Sequence, residues 1–240
     1  MGRVLAAEWM KLRRTWVMWL TLLGPVAMVF CQVVNYGLRA EYLLPRGWNG
    51  EQGLFFWVFA LLPLTLMVGS MLTSAVAAGH EHDSDGWKQL LALPLPRFVW
   101  VVGKAVWLMM LLLFAGGLTV LCIGGFGLVA GLPAPVPWAD LTRLVFWPLI
   151  ATLPFLALQL WLSLVRRNQA LPVTVGGVGA LLGPYLAFRR DLHLHWWIWS
   201  WPNHAYPFTE GAAQWVGISL IVFPLIIVAA SVHVSLREFR

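Results

Sequence analysis

Imidazoles and carboxylates are sparse in this chain, and they gather at His80-Glu81-His82-Asp83-Ser84-Asp85. These are ligand types that a zinc or copper ion takes. The spacing argues against a metal, because His80 and His82 are two apart and on a helix point away from each other. Helix capping is the better reading: Asp83 or Asp85 ahead of Trp87-Lys88-Gln89-Leu90-Leu91 suits an N-cap and the positive end of the dipole. His193, His195 and His204 make a second group, but no cluster of carboxylates or thiolates completes a site, and a solvated loop explains them. No metal or other cofactor is expected in the chain. The phosphate-binding pattern G-x-x-x-x-G-K-[ST] is missing, since Gly176–Gly183 carries no lysine. H-E-x-x-H and G-x-S-x-G are missing too. The chain is therefore expected to be no enzyme and to hydrolyse no ATP by itself.

The elements that carry these residues follow from composition. Of 240 residues 60% are hydrophobic and 11% charged, with mean hydropathy +0.76. A soluble domain carries about twice that share of charge, so the chain reads as an all-α integral membrane protein. Apolar runs at 16–34, 54–78, 98–128, 144–165, 170–188 and 212–236 are each near the ~20 residues that cross the hydrocarbon as a helix. They are continuous, whereas barrel strands alternate. One membrane domain over residues 1–240 is expected, with 16–34 read as a retained signal anchor. Cys31 and Cys122 read as packing residues. Placing both termini inside puts eleven of the sixteen Lys and Arg on the cytoplasmic side, as the positive-inside rule favours. The basic balance thus reflects membrane orientation, and no nucleic-acid partner is implied.

Between the runs, Arg3 to Trp16 reads as an interfacial amphipathic helix, with Leu5, Trp9, Leu12 and Trp16 on one face and Arg3, Lys11 and Arg14 on the other. Residues 35–53 and 132–138 read as external turns rich in Gly, Pro and Asn. The aromatic stretch Asp191–Phe208 is expected to fold back toward the membrane as short helices. Prolines inside the runs predict kinks, and Gly127-xxx-Gly131 and Gly179-xxx-Gly183 would allow close helix approach.

Lys104 lies about one turn into the third run, and snorkelling to the interface is favoured over an intramembrane ion pair. No acid falls at mid-membrane, where the polar groups are Thr65, Ser70, Thr73 and Gln159, so a stand-alone ion-coupled pump is disfavoured. Energy must then come from outside the chain. Trp87, Leu90, Leu91 and Pro94 form one apolar stripe at i, i+3, i+4 and i+7. It either lies on lipid or docks in a groove of a soluble partner.

The order Ala7-Glu8-Trp9-Met10-Lys11-Leu12-Arg13-Arg14 before the first run, then Glu81-His82-Asp83, Trp87-Lys88-Gln89-Leu90-Leu91-Ala92-Leu93-Pro94, Arg97 and Lys104, resembles the ABC-2 type transporter permeases. The similarity is greatest to the small six-span group associated with bacitracin and lantibiotic export or immunity. It implies a permease subunit in a bacterial inner membrane that pairs with a second permease, identical or not, and with two ATPase subunits, which hold ATP and Mg. It also implies a coupling helix (Glu81, His82, Asp83, Trp87, Lys88, Leu90, Leu91, Pro94) and an interfacial connecting helix (Glu8, Trp9, Lys11, Leu12). The cargo expected on this basis is a peptide, antibiotic or other amphiphile. The alternatives are a membrane-embedded enzyme acting through the His-rich loop, and a non-transporting scaffold or sensor.

Overall fold

A computed structural model describes residues 2–12, 15–43, 51–83, 96, 98–129, 136–188 and 196–236. Among the described residues eight helices follow one another: α1 (Gly2–Leu12), α2 (Val17–Leu43), α3 (Glu51–Asp83), α4 (Phe98–Val129), α5 (Trp138–Val165), α6 (Ala170–Phe188), α7 (Trp201–His204) and α8 (Ala212–Leu236). There is no strand among the described residues. Among the described residues six helices are long and apolar enough to cross a membrane, within α2, α3, α4, α5, α6 and α8. An uninterrupted apolar run leaves only the helix as a way to satisfy its backbone in hydrocarbon.

α5 is the central helix. Leu141, Leu144, Leu149, Phe155, Leu156 and Leu160 along it are fully or almost fully buried. α3, α4 and α8 pack around it, α2 lies against α3 and α4, and α6 lies against α3. The outward faces stay apolar: Trp19, Leu23 and Phe30 on α2 and Leu220, Ile221 and Leu225 on α8 are exposed. Such faces are what a lipid solvent requires.

Several boundaries differ from the sequence reading. Helix α1 stops at Leu12, and Trp16 sits 72% exposed in a turn before α2, outside the amphipathic face assigned to it. Much of the expected turn at 35–53 is helical, because α2 continues to Leu43 and α3 starts at Glu51. The chain at 36–43 holds no proline to stop a helix leaving the hydrocarbon. α5 begins at Trp138, where the Leu141 N–H donates to the Pro137 carbonyl and the Trp138 ring covers Gly124 of α4. Asp140 in that first turn suits the helix dipole and pairs with Arg143 at 3.7 Å. Pro172 falls in the first turn of α6, where a missing N–H costs nothing, so it is a helix starter there rather than a kink.

The described part of the aromatic segment, 196–208, folds back on the bundle. Trp201 is buried with Ala151 of α5 and Ala205, and Trp196, Trp201 and His204 gather round Trp215 of α8. Gly179-xxx-Gly183 receives this segment rather than a second helix. The Trp199 indole lies on Gly179, and the Trp199 carbonyl lies on Gly183. Gly131, the second residue of the other small-residue pair, lies outside the described residues.

Candidate functional site: a buried charge cluster where three helices meet

Four ionised side chains converge at one end of the bundle. Lys104 on α4 donates to Glu8 Oε2 of α1 and to Glu81 Oε1 of α3, both at 2.9 Å. Lys11 of α1 donates to the same Glu81 oxygen at 2.9 Å and stands 3.8 Å from Glu8 Oε1. The formal charges cancel. Glu8 is 0%, Glu81 2% and Lys104 4% exposed, so the cluster is interior, and Lys11 forms its rim.

Each partner is placed by its own element. Glu8 and Lys11 are three apart on α1 and share one helix face. The same helix stacks Trp9 on Trp107 of α4, with ring centroids 4.9 Å apart and planes at 21°. Trp107 is one turn beyond Lys104, so the ion pair and the ring stack bind α1 along one strip of α4. Glu81 occupies the last turn of α3, where a carboxylate opposes the helix dipole; two ammonium groups offset that.

Next to Glu81, His82 faces the other way. Its Nε2 lies 3.2 Å from the Ser163 carbonyl near the end of α5, a contact that requires the Nε2–H form. Gln169 Nε2 donates to the same carbonyl at 3.0 Å. The end of α3 is thereby held to α1 and α4 on one side and to α5 on the other, immediately before residues 84–97.

Two sequence expectations change here. Lys104 does not snorkel: its ammonium is bonded to two carboxylates inside the bundle. Glu81, His82 and Asp83 close α3 instead of opening a separate helix, since nothing between Ala78 and Asp83 breaks the run and Glu81 is neutralised in place. Leu12 ends α1. Trp87, Lys88, Leu90, Leu91 and Pro94 lie outside the described residues, as do His193 and His195. Among the described residues no group of three metal-ligating side chains forms. Trp107 and Ser163 were not legible in advance, because an aromatic ring in an apolar run and a main-chain carbonyl carry no signal of their own.

The profile of a family described as ABC-2 family transporter protein matches residues 4–183, from α1 into α6. The chain belongs to the ABC-2 transporter family. No curated protein matches the sequence. Membership of this ABC-2 family, with six apolar helices, makes the chain a multi-pass membrane component of an ABC-type transport system. Glu8, Lys11, Glu81 and Lys104 all fall within the ABC-2 segment; the aromatic segment after α6 and the whole of α8 fall beyond it.

Proposed function

We propose that this chain is the permease subunit of an ATP-driven exporter whose ATPase is a separate chain. Two ATPase copies and a second permease subunit complete the assembly, in a bacterial inner membrane with both termini cytoplasmic. ATP and Mg bind the ATPase. The cargo class is a peptide, antibiotic or other amphiphile.

The observation that carries this reading is the neutral Glu8–Lys11–Glu81–Lys104 cluster, which joins α1 to the end of α3 and the start of α4, the two helices that flank residues 84–97 in the sequence. In this reading Glu81 and His82 hold the base of the segment inside the bundle, and residues 84–94 make the contact with the ATPase, with Trp87, Leu90 and Leu91 as its apolar anchors, Lys88 beside them and Pro94 at its end. α1, through Glu8, Trp9, Lys11 and Leu12, is the brace. ATP-driven closure of the ATPase pair shifts the population of two bundle arrangements, because the contact and two spanning helices move as one piece.

Co-expression with an ABC ATPase from the same genome tests the proposal. The purified chain alone hydrolyses no ATP, and the complex does. Trp87→Ala or Leu91→Ala weakens the complex by about 1–3 kcal/mol, in the range of interface anchors. Unchanged co-purification of the ATPase with both variants would overturn the assigned contact.

A further inference from the structure

The end of the bundle opposite the charge cluster holds a cleft of about 580 Å³, a size within the range of small-molecule sites. Phe59 at this cleft and Glu81 in the cluster are on the same helix, roughly 33 Å apart at ~1.5 Å per residue. That separation is about one hydrocarbon thickness, so the cleft opens at the other surface.

Its walls are aromatic. Phe59 packs on Tyr206 with centroids 4.6 Å apart, and His204 stacks on Trp215 at 4.9 Å. Ring faces carry partial negative charge and attract cations. Glu210, exposed at the same cleft, adds a full negative charge, and neither Lys nor Arg is among the described lining residues. Burial pushes the Tyr206 phenol above its ordinary value, so the ring stays a neutral wall. Asn203, His204, Tyr206, Glu210 and Trp215 all lie beyond the residues 4–183 shared with the family.

We infer that this cleft binds an amphiphilic organic ammonium, its charged head between Glu210 and the aromatic rings. The inference is independent of the coupling reading, since binding needs no ATPase and no part of the charge cluster.

The test is equilibrium binding of radiolabelled hexanoylcholine to the full chain in dodecyl maltoside. Its uncharged isostere, 3,3-dimethylbutyl hexanoate, serves as competitor. Saturable binding is expected, with little competition from the isostere. Glu210→Gln weakens binding by about tenfold or more, and Tyr206→Leu weakens it as well. Asp140→Asn, which removes another carboxylate at the same end, leaves it unchanged. Phosphatidylcholine in mixed micelles separates the two sources of such a head: displacement assigns a lipid headgroup, and no displacement assigns a free amphiphile. The inference is overturned by non-saturable uptake, by an isostere that competes equally, or by Asp140→Asn acting as strongly as Glu210→Gln. The isostere comparison uses the unmodified chain and so stands even where a variant does not fold.

Discussion

Lys104 touches two carboxylates inside the bundle, and that geometry sets what its removal does. Taking an ammonium and its partners out of water costs several kcal/mol per ion, and mutual attraction returns it only while all partners remain. Lys104→Met leaves Glu8 and Glu81 with the half-exposed Lys11 as their one remaining cation in the cluster. The expected loss is about 3–5 kcal/mol, in the range for breaking one side of a buried pair. Thermal unfolding in maltoside micelles reads this as a drop in Tm. Adding Glu8→Met to Lys104→Met restores neutrality, with Glu81 and Lys11 still paired, and recovers much of the loss. Equal Tm values for the single and double variants would show that volume, not charge, is responsible. The sequence showed that Lys104, Glu8 and Glu81 were unusual residues for an apolar chain. It did not show that residues 96 and 23 positions from Lys104 would meet it, because a spacing rule reaches only one helix turn or two.

Among the elements, α6 shows how a glycine pattern acquires its partner. Its small residues make a groove, and Trp199 of the folded-back segment fills it. A methyl at Gly179 would collide with that indole, whereas a methyl at Gly177 would meet only Met71 Sδ at 3.8 Å. Gly179→Ala is therefore expected to destabilise the bundle by about 1–3 kcal/mol, the usual cost of overpacking. Gly177→Ala should be neutral or slightly stabilising, since alanine favours helix. Thermal unfolding of the two variants side by side checks this; equal effects would mean that Trp199 does not occupy the groove. The pattern of six apolar runs predicted the spanning helices closely in number. Their ends shifted by several residues, as at Asp83, Leu43 and Trp138; the ion pairs of Glu81 support the added turn at Asp83, and the Trp138 ring on Gly124 supports the one at Trp138.

For the molecule as a whole, the charge cluster and the aromatic cleft sit at opposite ends of one bundle. The start of α4 and the end of α8 share an end, with Phe98 and Val102 close to Ser231 and Leu236. Labelling intact cells with a membrane-impermeant maleimide checks the proposed orientation, after Cys31→Ser and Cys122→Ser remove the native thiols. Thr209→Cys, at the cleft, is expected to react from outside, and His80→Cys, beside the cluster and exposed, only after permeabilisation. The reverse pattern would put residues 84–97 on the exterior and remove any route to a cytoplasmic ATPase.

Continuous apolar length and the excess of basic residues on one side determined the class, the six spans and the expected orientation, because hydrocarbon thickness and the cost of moving charge through it act on local sequence. The resemblance of 7–14 and 81–97 to ABC-2 permeases pointed to the family whose profile covers 4–183. Only the tertiary structure decided that Glu8, Lys11, Glu81 and Lys104 form one neutral cluster, that Trp199 seats on Gly179, and that Phe59, Tyr206, Glu210 and Trp215 enclose a cleft. These are contacts between distant segments, and they exist because a bundle packed in lipid pairs its buried charges and covers small-residue grooves with whichever segment lies alongside.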